Sequence, residues 1–403
     1  MTAFETLSPA FHWHTDQPLE WPVSTDVGRG LSGVIAATTR VMWLDPASGS
    51  LGYRGRPVED LASRWSFEEV AYLLITGLAP DADRTTFQAF QHGLRAGRDL
   101  PRDVVFLIEE LDPRTHPTRL LRAGISALGC HELSEDDDIS GSRHWRDLRI
   151  VGQVAGLVAA IARHRAGRPV TATASSDTSL AHDVLEAIGG TPPSAADVRL
   201  LDLLWVFYAA HGLDAPTFTS MIVASCLADP YYAMVAGLSA LRGPRQGGAT
   251  EAVWEQLERL AEPDRAEALV DEIISAGGAV AGFGHRAYRM ADPRAVVLRR
   301  ELASIARRRG RPDVFARARS LETAATTALA GRGAHVNINF YAAPIFALLG
   351  ADAALDPCLV AVARAAGMVA LVREAMDVTR LVRPLSRYVG PEERRVPHSG
   401  STT

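Results

Sequence analysis

The chain has 403 residues, of which 47% are hydrophobic and 22% are charged, and this globular balance excludes an intrinsically disordered protein. The formal net charge of −5 predicts no general attraction to nucleic acid or to an anionic membrane. All 42 basic residues are arginine. Because Walker-type phosphate loops, Schiff-base aldolases and pyridoxal-phosphate enzymes each need a lysine amine, these three classes are excluded.

Residues 1–27 are predicted to form an irregular leader. They lack the basic start and the apolar stretch that are typical of an export signal. His12 and His14 lack a second ligand pair at metal-site spacing, so no metal site is expected. The longest nearly apolar run, residues 150–162, is too short to span a bilayer. Three distant cysteines fit a reduced, cytoplasmic protein better than a disulfide framework.

Hydrophobic spacing predicts an all-α protein, with one possible small hairpin at residues 40–53. Ser66 and Glu69 form a capping box that opens one helix, which Gly77 ends. The same periodicity predicts ten further helices, at residues 118–128, 148–162, 197–209, 217–227, 231–241, 251–260, 294–307, 313–330, 341–349 and 359–372.

Three loops between these helices concentrate glycine, histidine and arginine, at residues 211–219, 241–251 and 281–289. After the third loop, Asp292 can cap and Pro293 can start a helix that carries Arg294 on its first turn. No strand precedes the glycine-rich loops, which excludes a dinucleotide-binding fingerprint. Taken singly, a histidine in such a loop more often satisfies a buried helix end than performs chemistry.

Read together, these segments resemble the citrate synthase family. The resemblance begins near residues 30–36 and 51–55, continues through residues 66–71 and the three loops, and ends at residues 383–390. It covers residues 28–390, nearly the whole chain, and keeps the order of the motifs.

The resemblance implies a two-domain helical fold in a homodimer. Residues 28–246 and 351–390 would form the large domain and residues 247–350 a small, CoA-binding domain, before a polar tail at residues 391–403. The family condenses an acyl-CoA with a 2-oxo acid such as oxaloacetate in a Claisen-type step, followed by thioester hydrolysis. Coenzyme A would thus enter as a thioester substrate, and no cofactor is expected. No nucleic-acid or membrane partner is expected either.

The resemblance also implies roles for single residues. His211 would bind the oxo acid, and His285 would hydrogen-bond its carbonyl and protonate the new alkoxide. The implied carboxylate-binding arginines are Arg294, Arg364 and, from the partner subunit, Arg383, and the guanidinium fork suits that task. The implied CoA-binding positions are Gly282, Phe283, Gly284 and Arg289.

Two of the three catalytic positions depart from the family pattern. Gln246 stands where a histidine donates to the developing enolate oxygen, and Asn339 replaces the aspartate that removes the α-proton. Asp214 and Pro216 replace an asparagine and a serine, and Met221 lies where an arginine is common. Gln246 still offers two N–H donors, whereas Asn339 cannot accept a proton near neutral pH. Because a carboxylate is lost at residue 339, the pocket is expected to be more electropositive than usual.

Three hypotheses remain open at this point. The first is an enzyme that joins an acyl-CoA to a 2-oxo acid with an altered substrate or mechanism, using either a decarboxylating acyl donor or another base such as His335. The second is a non-catalytic relative that binds a carboxylate or CoA in a regulatory role. The third is a lyase or hydrolase that acts on an acyl-CoA adduct.

Overall fold

The computed structural model describes residues 29–31, 34–131, 143–170, 178–243, 246–288, 290–378, 381–384 and 390. Within these ranges the chain is built from α-helices and three short strands, which confirms the predicted all-α class. The leader at 1–27, with His12 and His14, and the polar tail at 391–403 lie outside the described residues.

The helices follow one another through short connections. Their bounds are α1 Val58–Arg64, α2 Phe67–Thr76, α3 Arg84–Gly97, α4 Arg102–Glu110, α5 Pro117–Gly129, α6 Arg143–Arg165, α7 Leu180–Gly189, α8 Ala195–Tyr208, α9 Ala215–Ser225, α10 Pro230–Leu241, α11 Gly248–Arg259, α12 Ala266–Ser275, α13 Pro293–Arg308, α14 Pro312–Ala328, α15 Ile338–Leu348 and α16 Asp356–Val378. The strands are β1 Met42–Leu44, β2 Leu51–Tyr53 and β3 Arg56–Pro57.

The strands form one small antiparallel sheet in the order β1-β2-β3. Met42 pairs with Tyr53, which confirms the hairpin predicted at residues 40–53, and Gly52 pairs with Pro57. The sheet leads directly into α1, whose first residue, Val58, is fully buried. The sheet therefore anchors the start of the helical body.

Helix α16 lies at the centre of the core and packs against α2, α6, α8 and α9. The stretch Ala353–Met376, which includes most of α16, is long and apolar enough to cross a membrane, with a mean hydropathy of 1.8. The apolar window is wholly buried inside the protein, as expected for a core helix that packs on its neighbours from all sides.

Local sequence signals place most helix ends correctly. The Ser66–Glu69 capping box forms, and Gly77 ends α2 in the left-handed conformation. Asp292 caps α13 with Pro293 in its first turn. Five helices were missed, namely α1, α3, α4, α7 and α12.

The described residues from position 39 onward belong to one compact unit, and the described residues before it belong to another. The division of the larger unit into a large domain and a small domain at residues 247–350 stays a prediction.

Candidate functional site

A buried tyrosine fixes the end of α8, the helix that leads into the first loop. The Tyr53 hydroxyl lies 3.0 Å from the carbonyl oxygen of Val206 and 3.1 Å from that of Ala210, and it accepts from the Ala210 N–H. Tyr53 has no exposed surface. The hairpin therefore sets the position of His211, the next residue.

Backbone bonds join the third loop to the segment before α15. Phe283 and Val336 form an isolated antiparallel bridge, and the Asn337 N–H donates to the Gly282 carbonyl at 2.9 Å. Gly282 has a φ of +79°, and a Cβ on it would lie 2.7 Å from the Phe340 Cβ. Only glycine fits this close approach. As a result, the loop that carries His285 lies against the start of the helix that carries Asn339.

The two candidate histidines meet. The ring centroids of His211 and His285 are 5.0 Å apart, and the Tyr288 ring lies 4.4 Å from that of His285 and 5.7 Å from that of His211. Nε2 of His211 is buried and has no hydrogen-bond partner among the described residues. Buried polar atoms normally have a hydrogen-bond partner. We therefore infer that a ligand atom binds at Nε2 of His211.

Both imidazoles are neutral. Burial and the neighbouring Arg294 charge lower the pKa of His285 to about 4, and burial with the charges of Arg294 and Arg364 lowers the pKa of His211 well below its usual value. Nδ1 of His285 accepts the backbone N–H groups of Ala287 at 3.0 Å and Tyr288 at 2.9 Å. The proton of neutral His285 is therefore on Nε2, which makes Nε2 a hydrogen-bond donor.

Arg294 is held from several sides. Its Nε and Nη2 donate to the two oxygens of Asp292 at 2.9 and 2.7 Å, and Nη1 donates to the Phe207 carbonyl at 2.9 Å. The side chain is almost fully buried and lies 5.9 Å from the Tyr288 ring centroid. An anion could reach only the remaining hydrogens of Nη1 and Nη2. Arg294 therefore ties the third loop to the end of α8 in addition to its predicted binding role.

Arg364, on α16, is more open to a ligand. It is 7% exposed, and its Nε and Nη1 have no hydrogen-bond partner among the described residues. Oδ2 of Asp214 lies 3.4 Å from Nη1 and forms an ion pair with it. Asp214 thus supplies a carboxylate beside the site, so the prediction of an unusually electropositive pocket does not fit this charge arrangement.

Asn339 is oriented by Tyr208, which the sequence analysis did not identify. The Tyr208 hydroxyl donates to Oδ1 of Asn339 at 2.7 Å, while the Asn337 side chain accepts from the Asn339 backbone N–H. Burial raises the pKa of the Tyr208 hydroxyl, so it stays a donor. Because Oδ1 accepts this bond, the Asn339 side chain offers its Nδ2 hydrogens to other groups.

The other predicted site residues lie at several places. Gln246 is half-buried, two residues before α11, which packs on α15. Its side chain makes no hydrogen bond to either histidine in the described part of the chain. Arg383 is exposed, next to Val382, whose N–H donates to the Ser225 hydroxyl at 3.1 Å. Arg289 lies outside the described residues.

Most backbone N–H groups of the predicted CoA-binding segment, residues 282–284, already donate hydrogen bonds. The Phe283 N–H donates to Val280 at 3.3 Å and the Gly284 N–H to His335 at 2.7 Å. Of the three amides, only that of Gly282 has no acceptor within the described segments. That residues 282–284 bind CoA stays a prediction. The groups left for such binding are mainly the Gly282 N–H and the backbone carbonyls.

His335, the alternative base, is exposed on the segment before α15, and its side chain makes no hydrogen bond in the described ranges. Sequence analysis did not single out Tyr208 or Tyr288, and it named Asp214 only as a departure from the family pattern, without its ion pair. Tyr208 and Asp214 each lie three residues from His211, so the helix end around this histidine carried a usable signal.

Comparisons with known proteins point to one family. The family model described as "Citrate synthase, C-terminal domain" matches residues 30–385. A citrate synthase of Deinococcus radiodurans is 30% identical over 92% of this chain and 97% of that protein. A 2-methylcitrate synthase of Mycobacterium tuberculosis is 33% identical over 92% of this chain and 93% of that protein.

Solved structures extend the likeness to three dimensions. Citrate synthase from Thermoplasma acidophilum, in a ternary complex with carboxymethyl coenzyme A and oxaloacetate, is 26% identical, with a TM-score of 0.86 over 93% of this chain and 99% of that one. Citrate synthase from Thermotoga maritima gives a TM-score of 0.81 at 29% identity, covering 92% of this chain and 98% of that one. The chain belongs to the citrate synthase family.

Proposed function

We propose that this protein joins the acyl group of an acyl-CoA to the carbonyl carbon of a 2-oxo acid in a Claisen-type step and then hydrolyses the thioester. One observation carries the proposal: the paired imidazoles of His211 and His285 stand in one site with Arg364, whose Nε and Nη1 have no hydrogen-bond acceptor among the described residues. This combination suits a small anion with a polarised carbonyl group.

The carboxylate of the oxo acid binds the unpartnered Nε of Arg364, beside the Nη1 that faces Asp214, with a second anchor at the remaining Nη hydrogens of Arg294. Nε2–H of His285 donates to the carbonyl oxygen and stabilises the alkoxide that forms there. A neutral donor suffices, because the negative charge develops only during carbon–carbon bond formation.

The acyl carbanion needs a source other than residue 339. An asparagine whose Oδ1 already accepts a hydrogen bond from Tyr208 cannot remove a proton. Its Nδ2 and the Gln246 amide can instead stabilise an enolate oxygen. We therefore infer an acyl donor of the malonyl-CoA class: its β-carboxylate leaves as carbon dioxide, the resulting enolate attacks the oxo acid, and water cleaves the thioester to release free CoA.

Thiol release tests the function. The purified protein is incubated with malonyl-, acetyl- or propionyl-CoA and either oxaloacetate or pyruvate, and mass spectrometry identifies the product. We expect oxo-acid-dependent thiol release with a condensed product, fastest with malonyl-CoA, and none with His285→Ala. Binding of a 2-oxo acid without thiol release from any donor would favour the second candidate, a non-catalytic carboxylate-binding relative, which the loss of a base at Asn339 also fits.

We also propose a cytoplasmic homodimer. Apolar side chains are exposed on and near the packed pair α9 and α10, at Ile222, Leu227, Tyr232, Met376 and Leu381. Arg383 follows this patch and is exposed, so it is available to a partner's site. Mixing Arg383→Ala subunits with His285→Ala subunits should restore activity, because one site of the mixed dimer keeps both groups. No recovery after unfolding and refolding the mixture would contradict a shared site.

A further inference from the structure

The ion pair between Asp214 and Arg364 has a charge consequence for the substrate. Oδ1 of Asp214 accepts the Thr217 N–H at 3.0 Å and caps α9, while Oδ2 faces Arg364 Nη1 at 3.4 Å. The two side chains are 13% and 8% exposed. The helix cap thus fixes this carboxylate against the guanidinium, in surroundings where charge interactions are screened little.

The described charges of the site already balance without a substrate. Asp292 neutralises Arg294 through two hydrogen bonds, and Asp214 faces Arg364. Both histidines are neutral. The proposed Arg383 of a second subunit would add one positive charge, which matches a substrate with a single negative charge.

We propose that Asp214 is a specificity-determining residue that selects a 2-oxo acid with one carboxylate over a 2-oxo acid with two. This inference rests on the proposed function. Arg364 and the proposed Arg383 of a second subunit balance Asp214 and one substrate carboxylate, whereas a second carboxylate adds a negative charge that no described cation of the site balances. Two like charges about 6 Å apart repel by enough, at a protein dielectric near 20, to weaken binding roughly 10- to 100-fold.

Asp214→Asn tests the proposal cleanly. Asparagine caps helices as well as aspartate does and has the same shape, so the variant loses the charge and keeps the cap. The matched control is Asp229→Asn, since Asp229 caps α10 in the same way by accepting the Tyr231 N–H at 2.8 Å. Titration calorimetry with pyruvate and with fresh oxaloacetate compares the three full-length proteins, and circular dichroism checks their folding.

We expect the native protein and Asp229→Asn to bind pyruvate more tightly than oxaloacetate. In Asp214→Asn the ratio of the oxaloacetate affinity to the pyruvate affinity should rise at least about tenfold. If both oxo acids bind and Asp214→Asn leaves their ratio unchanged, or if the native protein prefers oxaloacetate, the inference is overturned and the proposed function stands. If neither oxo acid binds to any of the proteins, both the proposed function and the inference fail.

Discussion

The Tyr208 hydroxyl donates to Oδ1 of Asn339 at 2.7 Å, and this bond sets which atoms of the amide are left for a substrate. Without it the amide could present either its oxygen or its NH₂ group. With it, the side chain presents donors. Tyr208 on α8 and Asn339 on α15 therefore act as a unit.

Tyr208→Phe should lower turnover about 5- to 50-fold, because an unsatisfied Oδ1 costs about 1–3 kcal/mol and frees the amide to rotate. The KM for the oxo acid should change little. The matched control is Tyr231→Phe, which loses a buried tyrosine bond to another amide oxygen, that of Gln153 at 2.9 Å. Steady-state thiol release compares them. Equal losses of turnover in both variants would show that Tyr208 acts on stability alone.

Restoring the family residues should restore ordinary enolisation. The double variant Asn339→Asp with Gln246→His is expected to raise acetyl-CoA condensation by roughly 10²–10⁴, the usual contribution of a positioned base. Tyr208 would then donate to the new carboxylate and favour its ionised form. Each single variant is the control and should recover less. No gain in the double variant, with oxo-acid binding retained, would show that these positions do not form the proton-abstraction site.

Local patterns made most of the fold predictable. Ser66 and Glu69, Asp292 and Pro293, and the apolar period of most helices from α5 onward, α7 and α12 excepted, are short-range signals, and the structure confirms them. The missed helices lack such signals in part: α1 and α12 are short, and α3 is polar over most of its surface, with three buried residues.

The sequence could predict which residues belong to the site, but not which contacts they make with one another. The rings of His211 and His285 lie 5.0 Å apart, and the family resemblance implied a shared site for them that no spacing rule would give. The Asp214–Arg364 pair joins residues 150 positions apart in the chain, and no spacing rule reports such a contact. Similarly, Arg294 reads as a free cation in the sequence, whereas Asp292 and the Phe207 carbonyl hold three of its nitrogens.

Binding of a 2-oxo acid should be nearly independent of pH between about pH 6 and about pH 8. The pKa of His285 is lowered to about 4 and that of His211 well below its usual value, so both rings stay neutral over this range and no proton is taken up. Calorimetry should show changes in affinity of less than about twofold. If an imidazolium were the binding form, affinity would fall up to about tenfold per pH unit as the pH rose above its pKa.

Arg294→Ala should destabilise the protein by about 3–5 kcal/mol, because it leaves the fully buried Asp292 carboxylate without its cation. The control is Arg309→Ala. Arg309 is half-exposed and shares Asp197 with Arg308, so its loss should cost less than about 1 kcal/mol. Urea unfolding followed by circular dichroism measures both. Similar free energies of unfolding for the two variants would contradict the structural role of Arg294.

The most direct test of the account is the affinity for a 2-oxo acid of the native protein and of Arg364→Gln. Arg364 has two nitrogens without a hydrogen-bond partner in the described ranges, so removing it should cost ligand affinity more than stability. Calorimetry with pyruvate and with oxaloacetate should show binding to the native protein. In the folded variant the affinity should fall at least about tenfold, as expected for lost charged hydrogen bonds. Equal affinity in the two proteins, or no binding of either acid to the native one, would contradict a carboxylate-binding site at Arg364.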